Sequence, residues 1–178
     1  MNQDSDKNIG VEIRKASVGD LMCIHEMAEV VFRHTYRDIL SPEQTEYMME
    51  WMYSVKSIEE QFNEGHKYFI ASIDGTPCGY MSIKRENISE YDMIVYHLYK
   101  LYIMPEKQGN GVGKMLFIKA CSYARENTPY GKIRIELNVN RNNPSLNFYK
   151  TMGMHILKEG DFAIGKGYYM NDYIMGIN

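Results

Sequence analysis

Residues 98–126 read LYKLYIMPEKQGNGVGKMLFIKACSYARE, and the local structure this stretch demands organises the rest of the chain. Leu98 to Ile103 has the apolar and aromatic density of a strand, and Pro105, which cannot donate to a ladder, stops it. The cluster Gln108-Gly109-Asn110-Gly111-Val112-Gly113 follows, and the amphipathic run after it, free of breakers, predicts a long helix. Strand, glycine turn and helix start, in that order, make a phosphate site. Glycines let successive backbone N–H groups turn inward with no Cβ in the way. The first N–H groups of the helix have no intrahelical partner and lie at the positive end of its dipole. The stretch therefore predicts a bound diphosphate.

Before this stretch, Val11 to Arg14 alternates as a short strand, and residues 1–9 read as a frayed lead. Ser17-Val18-Gly19-Asp20 has capping-box spacing, and Leu21, Ile24, Ala28, Val31 and Phe32 recur at helical intervals. A helix to about Phe32 is expected. Ser41-Pro42-Glu43-Gln44 starts a second helix with an apolar face of Tyr47, Met48, Trp51 and Met52. Ser57-Ile58-Glu59-Glu60 repeats the signature for a third, which Gly65 should end. Lys67 to Ile73 reads as a strand, Asp74-Gly75 as a hairpin turn, and Cys78 to Ile83 as the returning partner. Residues 84–91 read as a polar link, and an apolar run from Asp92 delivers the chain into the central strand.

After the central helix, Asn127 to Gly131 breaks the chain and Lys132 to Val139 alternates as a strand. Asn143-Pro144 caps a short helix to about Met152, with Gly153 past its end. Two strands close the chain, roughly Met154 to Glu159 and Tyr168 to Ile177. Antiparallel strands precede the strand–turn–helix unit, so the class is mixed α/β (α+β) and not a doubly wound sheet. No repeat or linker is visible, so 178 residues predict one domain over 1–178, its core at about 11–177.

Hydrophobic content of 44% and charged content of 24% are those of an ordinary globular chain. A net charge of −3 offers no basic footprint for nucleic acid. MNQDSDKN lacks the apolar core of a signal peptide, and no run of about 18 apolar residues would span a bilayer. No membrane association and a cytoplasmic location are the expectations. Cys23, Cys78 and Cys121 are scattered, in no metal-like spacing, and read as free thiols; no metal site is expected.

Three glycine motifs compete at the turn. A dinucleotide fingerprint needs G-x-G-x-x-G, but after Gly109 and Gly111 the third glycine falls one residue early, at Gly113. A P-loop needs a hydroxyl after Gly-Lys, and Met115 stands there; Gly109 is also one residue too close. Gln108-x-x-Gly111-x-Gly113 resembles the acetyl-CoA-binding signature of the GNAT-type N-acetyltransferases, in which Gln or Arg precedes the two small residues. A second block, Asn143 to Met154 (NPSLNFYKTMGM), is similar to that family's asparagine–tyrosine–glycine element, with Leu146 or Asn147 where a small residue is commoner. The resemblance runs from about residue 11 to 177, the closing Asp172-Tyr173-Ile174-Met175 included.

This resemblance implies the GNAT acyl-CoA N-acyltransferase fold: a mostly antiparallel mixed sheet of six or seven strands, flanked by helices, with splayed central strands. It implies direct transfer of an acetyl group from acetyl-CoA to a primary amine, either a small amine such as a polyamine or amino sugar, or a protein or peptide N-terminus. Backbone groups from Gln108 through Gly109, Asn110, Gly111, Val112, Gly113 and Lys114 would hold the pyrophosphate. Freed backbone around Leu101 and Ile103 would meet the pantetheine and the thioester carbonyl, with Asn138 and Asn143 alongside. Tyr149 would protonate the departing thiolate. The helical insert offers Tyr36 and Tyr47 for the acceptor, with Tyr102 from the strand. The attacking amine must lose a proton, and Glu86, His97, Glu136 and the Tyr102 hydroxyl are candidate bases that the sequence leaves unranked. A catalytically silent acyl-CoA-binding regulatory domain is the alternative. Homodimers occur in the family.

Overall fold

A computed structural model of the chain describes residues 10–90 and 92–178; the frayed lead expected at 1–9 and the last residue of the polar link lie outside them. Among the described residues the elements in order are β1 (Val11–Lys15), α1 (Leu21–Tyr36), α2 (Pro42–Tyr53), α3 (Val55–Asn63), β2 (Lys67–Ile73), β3 (Thr76–Glu90), β4 (Met93–Ile103), α4 (Val112–Glu126), β5 (Lys132–Asn140), α5 (Ser145–Thr151), β6 (His155–Gly165) and β7 (Tyr168–Ile177). The strands form one sheet in the order β1-β2-β3-β4-β5-β7-β6, antiparallel throughout except between β4 and β5. Each face has its own core. Phe69, Met81, Leu116, Leu137 and Met175 pack on the α4 side. Ile24, Phe32, Met48, Ile58 and Tyr80 pack on the side of α1 to α3.

Two features of β4 shape the site. Its parallel pairing with β5 runs from Met93↔Lys132 to His97↔Glu136 and stops. Beyond that point β4 stays on β3 as far as Ile103, and β5 stays on β7 as far as Asn140. The two strands part, as the resemblance implied. The second feature is a bulge: Ser82 faces Lys100 and Ile83 faces Leu98, which leaves Tyr99 without an opposite number. The extra residue inverts the alternation. Tyr96 and Leu98 belong to the α4-side core, and so do Leu101 and Ile103, while Tyr102 joins the other face.

Several boundaries differ from the sequence reading. The Ser17–Asp20 box closes a 3-10 turn, Val18–Asp20, ahead of α1, and α1 runs on to Tyr36 instead of ending near Phe32. Arg33 and His34 suit its last turn, and Arg33 pairs with Glu29 and Glu46. Ser54, not Ser57, caps α3, its Oγ accepting from the Ser57 N–H at 3.2 Å. The polar link at 84–91 is strand as far as Glu90, because antiparallel pairing with β4 as far as Glu90↔Met93 supplies the ladder whatever the side chains. β6 likewise extends to Gly165, not Glu159, through its hairpin with β7. Asn143 accepts from the Ser145 N–H at 2.9 Å, so α5 starts one residue after Pro144.

Candidate active site

A cavity of about 380 Å³ is lined by residues from both sides of the gap between β4 and β5. Its wall combines the glycine turn, β4 from Leu98 to Ile103, Leu137 to Val139 of β5, the start and middle of α5, and Thr35 and Tyr36 at the end of α1. Most residues singled out from sequence meet here: Leu101, Ile103, Gln108, Gly109, Gly111, Val112, Gly113, Lys114, Asn138, Asn143, Tyr149, Tyr36 and Tyr102 all line it.

The turn has the form its glycines allow. Gly109 and Gly111 take φ of 80° and 77°, left-handed values that cost any other L-residue about 1–2 kcal/mol. Gly111 is the N-cap of α4 and supplies no side-chain cap, so no side chain of the cap occupies the first N–H groups of that helix. Gln108 donates its amide to the Ile103 carbonyl at 3.3 Å, tying the turn to the end of β4. Asn110 closes the turn onto the Lys107 carbonyl at 3.2 Å and is not part of the lining. A Cβ at Gly113 would come within 3.6 Å of the Phe148 ring, which shows how closely α5 docks on the turn.

Tyr149 sits on α5 directly after Phe148, only 8% exposed. Burial raises its phenol well above the usual range, and Tyr36 adds to this, so the hydroxyl keeps its proton at neutral pH. Such a group can give a proton to a strong base formed beside it. Tyr36 is buried too, with Tyr102 and Asn143 beside its hydroxyl. Tyr53 donates to the Tyr102 hydroxyl at 3.4 Å. These phenols are held neutral by burial, which suits them to hydrogen bonding and not to abstracting a proton from an ammonium group.

Other candidates lie elsewhere. Tyr47 donates to the Ile164 carbonyl at 2.5 Å and stacks on Trp51, a role in tying α2 to the β6–β7 hairpin, outside the cavity wall. Glu86 meets the cavity only through Tyr99, whose hydroxyl donates to it at 2.6 Å. Burial pushes His97 down to about 4, and Glu136 lies 3.7 Å from Arg134. Neither lines the cavity. The sequence reading gave no site role to Thr35, Ser145 or Asp172. Asp172 holds the cavity residue Asn138, whose amide donates to Oδ2 at 3.3 Å. No spacing signal marks it, because the contact joins residues on different strands. The cysteines are free, and burial raises each thiol. Among the described residues no group of three His, Cys, Asp or Glu could hold a metal.

The pattern of the acetyltransferase (GNAT) family matches residues 32–154, from the last turns of α1 to just past α5, and so covers both the glycine turn and Tyr149. The chain belongs to that family. A spermidine N(1)-acetyltransferase of Thermoplasma acidophilum is 28% identical over 169 residues, 90% of this chain and 99% of the relative. The structure resembles that of PaiA N-acetyltransferase from Thermoplasma acidophilum in complex with coenzyme A, with TM-score 0.73, 26% identity, and coverage of 94% and 98% of the two chains. Arabidopsis thaliana Naa50 bound to a bisubstrate analogue shares the fold at TM-score 0.67 and 15% identity, covering 96% of this chain and 99% of its own. The protein is thus an N-acetyltransferase that draws on acetyl-CoA.

Proposed function

We propose that this GNAT enzyme acetylates a small aliphatic primary amine of the polyamine kind by direct transfer from acetyl-CoA. The observation that carries the reading is the single cavity in which the glycine turn, the half of β4 that β5 leaves unpaired and Tyr149 meet. The polyamine acceptor is supported by the relative that shares 28% identity over nearly its full length, and by a net charge of −3, which favours cationic substrates. Backbone N–H groups of residues 109–114 hold the pyrophosphate, and Lys114 adds a point charge. Backbone of Leu101 and Ile103, which β5 leaves unpaired, meets the pantetheine arm and the thioester carbonyl. As the new carbon–nitrogen bond forms and the carbon–sulfur bond breaks, Tyr149 passes its proton to the thiolate. Tyr36 and Tyr102 shape the acceptor side. The three free cysteines fit a reducing, cytoplasmic setting.

The test is thiol release from acetyl-CoA over a panel of polyamines, amino sugars and peptide N-termini. Saturable release with spermidine-like amines is the expected result. Release only with peptides would replace the acceptor, and acetyl-CoA binding without release for any amine would leave a silent acyl-CoA-binding domain.

A further inference from the structure

Asp172 is a buried carboxylate with half of its hydrogen bonding undone. It is 5% exposed, and its Oδ1 has no hydrogen-bond partner among the described residues. Leaving such an oxygen unpaired costs about 1–3 kcal/mol, more when the group is charged. The cost is kept in one particular place. Asp172 pairs with Asn140 in the β5–β7 ladder, and Asn138 lies two residues along on the same face of β5. Asn138 is exposed, lines the cavity, and holds the other carboxylate oxygen. Asp172 therefore lies one hydrogen bond behind the cavity wall. Tyr36, a buried residue of the cavity wall at the end of α1, lies near enough for the Asp172 charge to raise its phenol further.

The group is not spoken for by a structural cation. Arg141, after β5, is the cation that acts on it, but the Arg141 guanidinium donates to Asp161 and lies 3.9 Å from Glu159. The titratable and charged groups acting on Asp172 are thus Arg141 and Tyr36, with the neutral Asn138 in contact. Burial raises the carboxyl above its ordinary range, which makes the anion a better proton acceptor than a solvated aspartate.

We propose that Asp172 is the proton acceptor of the reaction, its carboxylate receiving the ammonium group of the acceptor amine at Oδ2, the oxygen that Asn138 covers. This rests on the reading of the cavity as an amine-acetylating site. An aliphatic amine arriving beside Asn138 reaches Oδ2 by exchanging with the 3.3 Å bond that covers that oxygen. The ammonium gives one proton to Asp172, leaving a neutral amine and a carboxylic acid. The freed lone pair forms the carbon–nitrogen bond; as the carbon–sulfur bond breaks, the thiolate takes its proton from Tyr149, and the second N–H proton of the amine, lost as the amide forms, returns to the Tyr149 phenolate through solvent. Reach to a protonated amine is what this assigns, so the acceptors favoured are those charged at neutral pH.

Asp172→Asn tests this through the pH profile. The wild-type must first show thiol release; if no amine supports it, the proposed function fails and the Asp172 assignment falls with it. With turnover in hand, Asp172→Asn should lower kcat/KM for the amine about 10²–10⁴-fold near neutral pH while the KM for acetyl-CoA holds. The deficit should shrink as pH approaches the amine's own pKa, where the base is no longer needed. Asp172→Glu, which keeps the carboxylate, should recover part of the rate. A deficit that is equal at every pH, or turnover equal to wild-type, would overturn the assignment. Should Asp172→Asn fail to fold, the wild-type decides: the acid limb of kcat/KM should keep one midpoint across amines of different basicity. A midpoint that follows the amine would equally overturn it.

Discussion

Lys100 lies next to the bulge on β4 and is 6% exposed, with no carboxylate paired to it among the described residues. Its ammonium donates to the Gln61 carbonyl oxygen and sits 5.4 Å and 5.6 Å from the ring centroids of Tyr53 and Tyr68. Burial pushes its pKa from 10.5 down to about 7. Between those two values the unfolded chain holds a proton that the folded chain has shed, so wild-type stability rises with pH across that window. At about 1.4 kcal/mol per pH unit, the full penalty near pH 7 is about 4 kcal/mol. Lys100→Met keeps the stem's volume and removes this penalty. It gives up one hydrogen bond, worth about 1 kcal/mol, and the rings' attraction for the cation, while Gln61 keeps the Tyr68 hydroxyl at 2.7 Å. The expected net gain near pH 7 is about 2 kcal/mol, or about 4–8 °C in Tm for a chain of this length. Urea and thermal melts at pH 7 and pH 9.5 check it. The variant's advantage should fall by about 1.4 kcal/mol for each pH unit above 7 and vanish before the upper pH. A variant less stable at pH 7, or one whose advantage is the same at both values, would refute the reasoning.

Tyr149→Phe should cut turnover about 10²–10⁴-fold while the thermal shift given by acetyl-CoA is kept; unchanged turnover removes Tyr149 from the acid's role. At Gly79 a Cβ would come within 2.8 Å of the Tyr102 carbonyl oxygen and 2.7 Å of the Ile103 side chain, on the half of β4 that lines the cavity. Gly79→Ala should therefore destabilise by about 1–3 kcal/mol and weaken acetyl-CoA binding, read by urea melts and titration; wild-type values in both would show that β4 has room there.

Local chemistry made much of this molecule readable from residues alone. Pro105, the glycines at 109 and 111 and the capping serines act within a few positions of themselves, so the turn, α4 and α2 stand close to where their residues imply. What escaped reading depends on partners distant in sequence. The Tyr99 bulge exists only relative to β3, and alternation alone would have put Leu98 and Lys100 on one face. The tip of β3 is polar and becomes strand because β4 runs beside it. Ser54 and Ser57 are equally good caps by type, and the backbone of Ser54 at ψ 150° decided between them. Tyr47 had the right chemistry for a substrate contact, but the β6–β7 hairpin, 117 residues on, claims its hydroxyl. The role of Asp172 was not legible for the same reason, since it depends on Asn138 across a ladder.

The parting of β4 from β5 has a consequence for how the protein holds itself together. A sheet edge normally lies at the outside, where its unpaired groups recruit stray chains. Here two edges are created in the middle of the sheet, with strands continuing on either side of them. In the proposed function, the amide-bearing arm of the donor substrate serves as a removable strand in that seam, and the enzyme's architecture is completed afresh in each cycle by the molecule it consumes.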